Sequence, residues 1–269
     1  MSETAGSSRR GAVYDLFLFM GQSNMAGRGI TDSRWPEKAP AVPPEAGAEF
    51  RAVSDPTRLY PVCEPFGAAE NRTPGINDGR MKTGSMVSAF VRAYYGITGV
   101  PVAAVSASKG GSSIAQWQPD APEQYLPDAM RRFADCEAYF AAHGLTLRHR
   151  FVLWCQGETD GDLSTSEADY RARFDRLLDV LLSHGIERLF LVRIGHCNIP
   201  GARKRYDYLI RLQDEIADKT PAVTMVSTCL AGMQARGLMK DEFHYFQKAY
   251  NEAGEEAGKN AGRYVKIFG

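Results

Sequence analysis

At 269 residues, with 44% hydrophobic and 24% charged side chains, the chain has the make-up of a folded globular protein, not of a disordered, collagen-like or membrane-spanning one. Its 32 Lys and Arg balance its 32 Asp and Glu, so it lacks the charge excess that draws a protein to nucleic acid or anionic lipid, and a small, roughly neutral substrate suits it better. The five cysteines (Cys63, Cys136, Cys155, Cys197 and Cys229) are odd in number and widely spaced without a Cys-x-x-Cys pair, which predicts reduced, mostly buried thiols and no zinc or redox centre.

Residues 1–11 are small and polar and predict a flexible lead. The first apolar run, Leu16–Met20, is too short for a signal-peptide core or a membrane span, which makes the cytoplasm the expected location. Five short apolar runs rich in β-branched and aromatic residues follow one another: Val13–Met20, Val102–Ser106, Phe151–Cys155, Leu189–Ile194 and Val223–Ser227. Continuous runs of this kind suit central strands covered on both faces. Helical periodicity falls between and after them, at Ser85–Tyr95, Pro122–His143, Ser166–His184, Lys204–Lys219 and Phe246–Ala261. The third of these carries a capping start, Ser164-Thr165-Ser166-Glu167, and a glycine stop, His184-Gly185.

Strand alternating with helix predicts a single α/β domain over residues 1–269: three layers, α/β/α, around a five-stranded, mainly parallel, flavodoxin-like sheet. The stretch 30–80 breaks the rhythm and is dense in Pro, Gly and charge. A structureless loop of that length is uncommon, so a hairpin is expected in it, Glu49–Val53 against Leu59–Val62, with the whole insert walling or covering a site.

In such a sheet ligands bind beyond the carboxyl ends of the strands. The first strand runs into Gly21-Gln22-Ser23-Asn24-Met25, the second into Ser108-Lys109-Gly110-Gly111-Ser112-Ser113, the third into Gln156-Gly157-Glu158-Thr159-Asp160. A serine on a tight strand-to-helix turn exposes its hydroxyl amid peptide N–H groups, which suits a nucleophile; the same residue also suits a helix cap. A serine hydroxyl needs a general base. His143 and His184 precede glycines at helix ends, His149 precedes the third strand at the wrong edge, and His196 follows the fourth strand with no acid close by in sequence. His244 belongs to Asp241-Glu242-Phe243-His244, whose i, i+3 spacing in a helical turn would bring carboxylate to imidazole; alone, the pair suits a surface salt bridge or helix cap equally well. Taken with Ser23 they make a triad in the order Ser, Asp, His. Ser23 N–H, Gly110 or Gly111 N–H and the Gln156 amide are the expected oxyanion donors.

These blocks resemble the SGNH hydrolases, in particular the sialate O-acetylesterase-like carbohydrate esterases that include acetylxylan esterases. The likeness rests on Gly21-Gln22-Ser23-Asn24-Met25, Ser108-Lys109-Gly110-Gly111-Ser112, Trp154-Cys155-Gln156-Gly157-Glu158-Thr159-Asp160 and Asp241-x-x-His244, and runs from about residue 13 to the C-terminus. It implies that Ser23 attacks an acetyl carbonyl on a sugar, with His244 as base and Asp241 as its orienting acid. It also implies an oxyanion hole completed by Gly110 or Gly111 and Gln156, with Glu158 as an alternative acid. Gln22, Asn24, Arg28 and Trp117 are the expected substrate contacts, although Arg28 equally suits a solvated charge and Trp117 the core. No metal or organic cofactor is expected, nor any nucleic-acid or membrane partner. Gly75-Ile76-Asn77-Asp78 matches the superfamily's usual third block, but it precedes the second block and is set aside here. A lipid or thioester hydrolase on the same scaffold, and a phosphate- or sugar-binding domain, are the alternatives.

Overall fold

The computed structural model describes residues 11–269; the expected flexible lead, apart from Gly11, lies outside them. In chain order the elements are β1 (Val13–Gly21), α1 (Ser23–Ala26), β2 (Gly47–Arg51), β3 (Asp55–Pro61), α2 (Val87–Thr98), β4 (Val102–Ser108), α3 (Tyr125–Ala142), β5 (Thr146–Cys155), α4 (Glu158–Asp162), α5 (Glu167–Ser183), β6 (Arg188–Val192), α6 (Asp207–Lys219), β7 (Val223–Ser227) and α7 (Gln247–Phe268). One sheet holds all the strands in the order β3-β2-β4-β1-β5-β6-β7, parallel except for the β2–β3 hairpin.

The five expected strands are all present and in flavodoxin-like order, but the sheet has seven. The expected hairpin forms with shifted bounds: its turn is Ala52-Val53-Ser54, and Asp55, Pro56 and Thr57, expected in the turn, open the second strand, where Asp55 Oδ1 accepts from the Thr57 amide at 3.1 Å. Instead of standing over the site it docks on the sheet: β2 pairs with β4, burying Phe50 to 1% exposure. The third expected strand also begins earlier, so His149 lies within β5, its Nδ1 2.8 Å from Glu187.

Burial on both faces explains the apolar runs. Leu16–Met20 in β1 are no more than 1% exposed, and their side chains alternate between two cores. Leu16, Leu18 and Met20 join α3, α5 and α6, whereas Phe17 and Phe19 join α2 and α7. Truncating a buried aromatic such as Phe17 to alanine costs about 3–5 kcal/mol. Helix α7 packs against α2 so closely that a Cβ on Gly254 would sit 2.2 Å from the Met86 carbonyl oxygen. The start of α5 is capped by Ser166, whose Oγ accepts from the Asp169 amide, two residues along from the predicted box at Ser164 and Glu167.

The rest of the insert is tied down from α3. Buried Asp128 accepts from the Ile76 amide at 2.9 Å, and buried Arg132 donates to the carbonyls of Ser106 and Ile76. Those bonds satisfy loop backbone that would otherwise be buried unpaired, and they hold residues 76–78 against the end of β4.

Candidate active site

A pocket of about 500 Å³ opens at the carboxyl ends of the central strands. Gln22 and Ser23 come from the end of β1, Lys109, Gly110 and Gly111 from β4, Glu158, Thr159 and Asp162 from β5, and Phe243 and His244 from the segment after β7. The turn at β1 needs glycine, because Gly21 has φ +134° and a Cβ there would lie 2.0 Å from the Cys155 carbonyl oxygen.

Ser23 opens α1, and its Oγ is 2.9 Å from His244 Nε2. His244 Nδ1 is 3.0 Å from Asp241 Oδ2, and Asp241 Oδ1 accepts from the amides of Phe243 and His244 at 2.8 and 2.7 Å. Residues 241–244 form a bend pinned by the Met239–Tyr245 bridge, not the helical turn the spacing predicts. Burial pushes the Asp241 carboxyl up, but the bonds from Phe243, His244 and Lys240 outweigh it and hold the group well below the usual carboxylate range. Burial lowers the His244 pKa more than Asp241 raises it, which keeps the imidazole neutral and able to accept a proton.

The other four histidines lie elsewhere. His143 and His184 terminate α3 and α5, with Nδ1 against the carbonyls of Tyr139 and Val180, and His196 has an acid after all, Asp207 at 3.2 Å, but stays out of the pocket.

Glu158, the alternative acid, makes no hydrogen bond to His244. Its Oε1 accepts from Asn24 Nδ2 at 2.5 Å and its Oε2 is enclosed without a partner. Burial raises its pKa to about 7 against the lowering pull of Asn24. Asn24 is fully buried and outside the pocket, so it is a brace and not a substrate contact: it also donates to the Phe243 carbonyl and accepts from Tyr250. Gln22 does line the pocket, and its Oε1 accepts from the amides of Gly157 and Thr159 at 3.1 and 3.3 Å.

Gln156 does not reach the pocket. Strand alternation carries it to the same face as Trp154, where its Nε2 donates to the Ser112 carbonyl and to Asp160 while its Oε1 accepts from Tyr170. Trp117 is likewise a core residue, fully buried, edge-on to Trp154, with its indole N–H on Ser112 Oγ. Arg28 is neither solvated nor free. At 7% exposure it pairs with Asp78 at 2.7 Å in the pocket wall.

Asp78 belongs to the four residues set aside as coincidental, and sequence reasoning missed it together with Asn77, Met81, Lys109, Thr159, Asp162 and Phe243. Its Oδ1 accepts from the Gly110 amide at 2.9 Å, so of the two glycines only Gly111 keeps an uncommitted N–H. The one sequence signal for Asp78 is an acid in an insert expected to line the site, facing a basic residue just past Ser23.

Comparisons with known proteins bear on the family and the fold. The family model described as carbohydrate esterase, sialic acid-specific acetylesterase, matches residues 13–262. A search of curated proteins finds no match. Among solved structures, a protein from Arabidopsis thaliana aligns with a TM-score of 0.67 at 23% identity, over 95% of this chain and 99% of its own. A carbohydrate acetylesterase from Xanthomonas citri aligns with a TM-score of 0.60 at 18% identity, over 94% of this chain and 56% of its own. At these identities the structural neighbours speak for the fold, and the family match speaks for the chemistry. The chain is an esterase and belongs to the sialic acid-specific acetylesterase family of carbohydrate esterases.

Proposed function

We propose that this chain, acting as one hydrolase domain, removes acetyl groups from sugar hydroxyls by two-step acyl transfer through Ser23. One observation carries the reading: the unbroken line from Ser23 Oγ to His244 Nε2 and from His244 Nδ1 to Asp241, set in an open pocket. Ser23 Oγ attacks the acetyl carbonyl as its proton passes to His244 Nε2, and Asp241 stabilises the imidazolium that forms. The amides of Ser23 and Gly111 receive the oxyanion; each such donor is typically worth about 100- to 1,000-fold in rate. The sugar oxygen leaves with the proton from Nε2, and water, activated by the same imidazole, then attacks the acetyl-enzyme to release acetate. These steps call for no cofactor.

The wall supports a hydroxyl-rich substrate. Gln22, Arg28, Asn77, Asp78, Lys109 and Asp162 present polar groups to the pocket beside apolar surface that includes Met81 and Phe243, the mixture that the ring faces and hydroxyls of a sugar require. The match to the sialic acid-specific acetylesterase family favours a sugar acetate over a lipid or thioester. Two assays test the proposal together. A serine-directed phosphonate should add one covalent mass at Ser23, and acetate release from acetylated xylo-, manno- and sialo-saccharides should far exceed hydrolysis of long-chain esters. Labelling elsewhere, or preference for the long chain, overturns it.

A further inference from the structure

Glu158 stands in the pocket wall without the task that a charged carboxylate would have there. Asp241 already serves His244, and among the described residues no cationic side chain pairs with Glu158. At 3% exposure its only donors are the Asn24 side-chain amide and its own backbone N–H, and its second oxygen is enclosed with no partner. An anion buried in that state is costly, because nothing replaces the water it has lost. A neutral carboxylic acid fits instead: one oxygen accepts from Asn24, and the other carries a proton that needs only an acceptor.

The groups whose charges act on it favour the same form. Asp160 and Asp162, beside it on α4, both disfavour its ionisation. From the neighbouring elements it faces the Cys155 thiol and the phenols of Tyr170, Tyr206, Tyr245 and Tyr250, all of which burial holds protonated. Its position relative to the serine is fixed from two sides. Gln22 binds the amides of Gly157 and Thr159, which bracket Glu158, and Asn24 binds Glu158 itself. Ser23 is the residue between Gln22 and Asn24, so the serine and the acid are held across from one another. The donor set for an oxyanion is meanwhile short, since Asp78 occupies the Gly110 amide and Ser112 and Asp160 occupy the Gln156 amide.

We infer that Glu158 is a catalytic residue in its neutral form: with ester bound, its side chain turns the enclosed Oε2–H into the pocket that the residue lines, and donates to the acyl oxygen as the third member of the oxyanion hole, beside the amides of Ser23 and Gly111. The proton stays on Glu158 throughout. The proton that moves is the serine's, to His244 Nε2 and on to the departing sugar oxygen. A charged Glu158 would instead repel the developing anion.

The inference rests on Ser23 being the nucleophile, and its test separates the two. Wild type, Glu158→Gln and Glu158→Ala are compared for acetate release from an acetylated oligosaccharide between pH 5 and 9, with phosphonate labelling and thermal unfolding recorded for each. Gln keeps an acceptor for Asn24 and a donor for the pocket, but cannot ionise. Wild type should lose kcat as pH rises through about 7. Glu158→Gln should be roughly tenfold slower than wild type at pH 6 yet overtake it by pH 9, and Glu158→Ala should be slower by about 100- to 1,000-fold at pH 6. A wild-type rate that stays flat to pH 9, or a Gln variant as slow as the Ala variant at every pH, overturns the inference while Ser23 labelling still stands. Absence of labelling at Ser23 in wild type overturns the underlying reading itself.

Discussion

Two carboxylates flank the same serine–histidine pair, and their surroundings drive them to opposite protonation states. The bend that carries Asp241 is half open to solvent and aims two backbone amides, an imidazole and Lys240 at one side chain, so its charge is welcome. The turn that carries Glu158 is buried, offers only the Asn24 amide and the residue's own backbone N–H, and adds two further acids, so its charge is opposed. Residue type alone would make either one the orienting acid. The number of donors pointed at each oxygen separates them, and that count depends on tertiary structure.

The comparison breaks most sharply at its shared centre. Ser23→Ala should reduce kcat by about 10⁵- to 10⁶-fold with folding intact, measured as acetate release beside a thermal melt. Asp241→Asn should cost about 10⁴-fold, because the amide cannot stabilise the imidazolium or enforce its tautomer. A loss of only a few-fold there, paired with a total loss in Glu158→Gln, would exchange the roles of the two acids. Asp78→Ala leaves buried Arg28 unpaired and frees the Gly110 amide, and should lower unfolding stability by about 3–5 kcal/mol in chemical denaturation.

The pH dependence of stability sharpens the contrast further. Folded Glu158 keeps its proton up to about pH 7, whereas in the unfolded chain it ionises near the ordinary value of 4.5. The native state binds the extra proton between those limits, so stability falls as pH rises from 4.5 to 7 and the full penalty applies above 7. Glu158→Gln should therefore gain up to about 3 kcal/mol relative to wild type at pH 8 and nothing at pH 4, read as the difference in denaturation midpoints. The smallest effect belongs to Trp117→Phe, which removes the indole donor to Ser112: about 1–2 kcal/mol of stability should go, with kcat/KM within twofold of wild type.

Most of the fold could be read from residue order. Strands such as Leu16–Met20 are apolar at every position because both faces are covered, and this pattern is local. The hairpin's existence was legible, but its turn fell at 52–54 instead of 54–57 and its docking was not foreseen: whether β2 pairs with β4 depends on an edge that exists only once the sheet has formed. Ser23, Asp241 and His244 meet because the carboxyl ends of parallel strands share one rim, which topology predicts. Side-chain direction is a finer matter. Gln156 follows a strand as Gln22 does, but pleat and turn send the first below the sheet to Tyr170 and keep the second at the rim. Asp78 meets Arg28 across 50 positions of chain, through a loop hung from Asp128 and Arg132, and no local pattern announces such a meeting.

Ser23 and His244 are 221 positions apart in the chain, and Tyr250, which braces Asn24, comes later still. During synthesis Ser23 therefore leaves the ribosome long before His244, at the end of a strand whose own partners β4 and β5 have yet to be made. The contact between the Ser23 hydroxyl and the His244 imidazole is thus a late product of folding, available only when nearly the whole chain has been made.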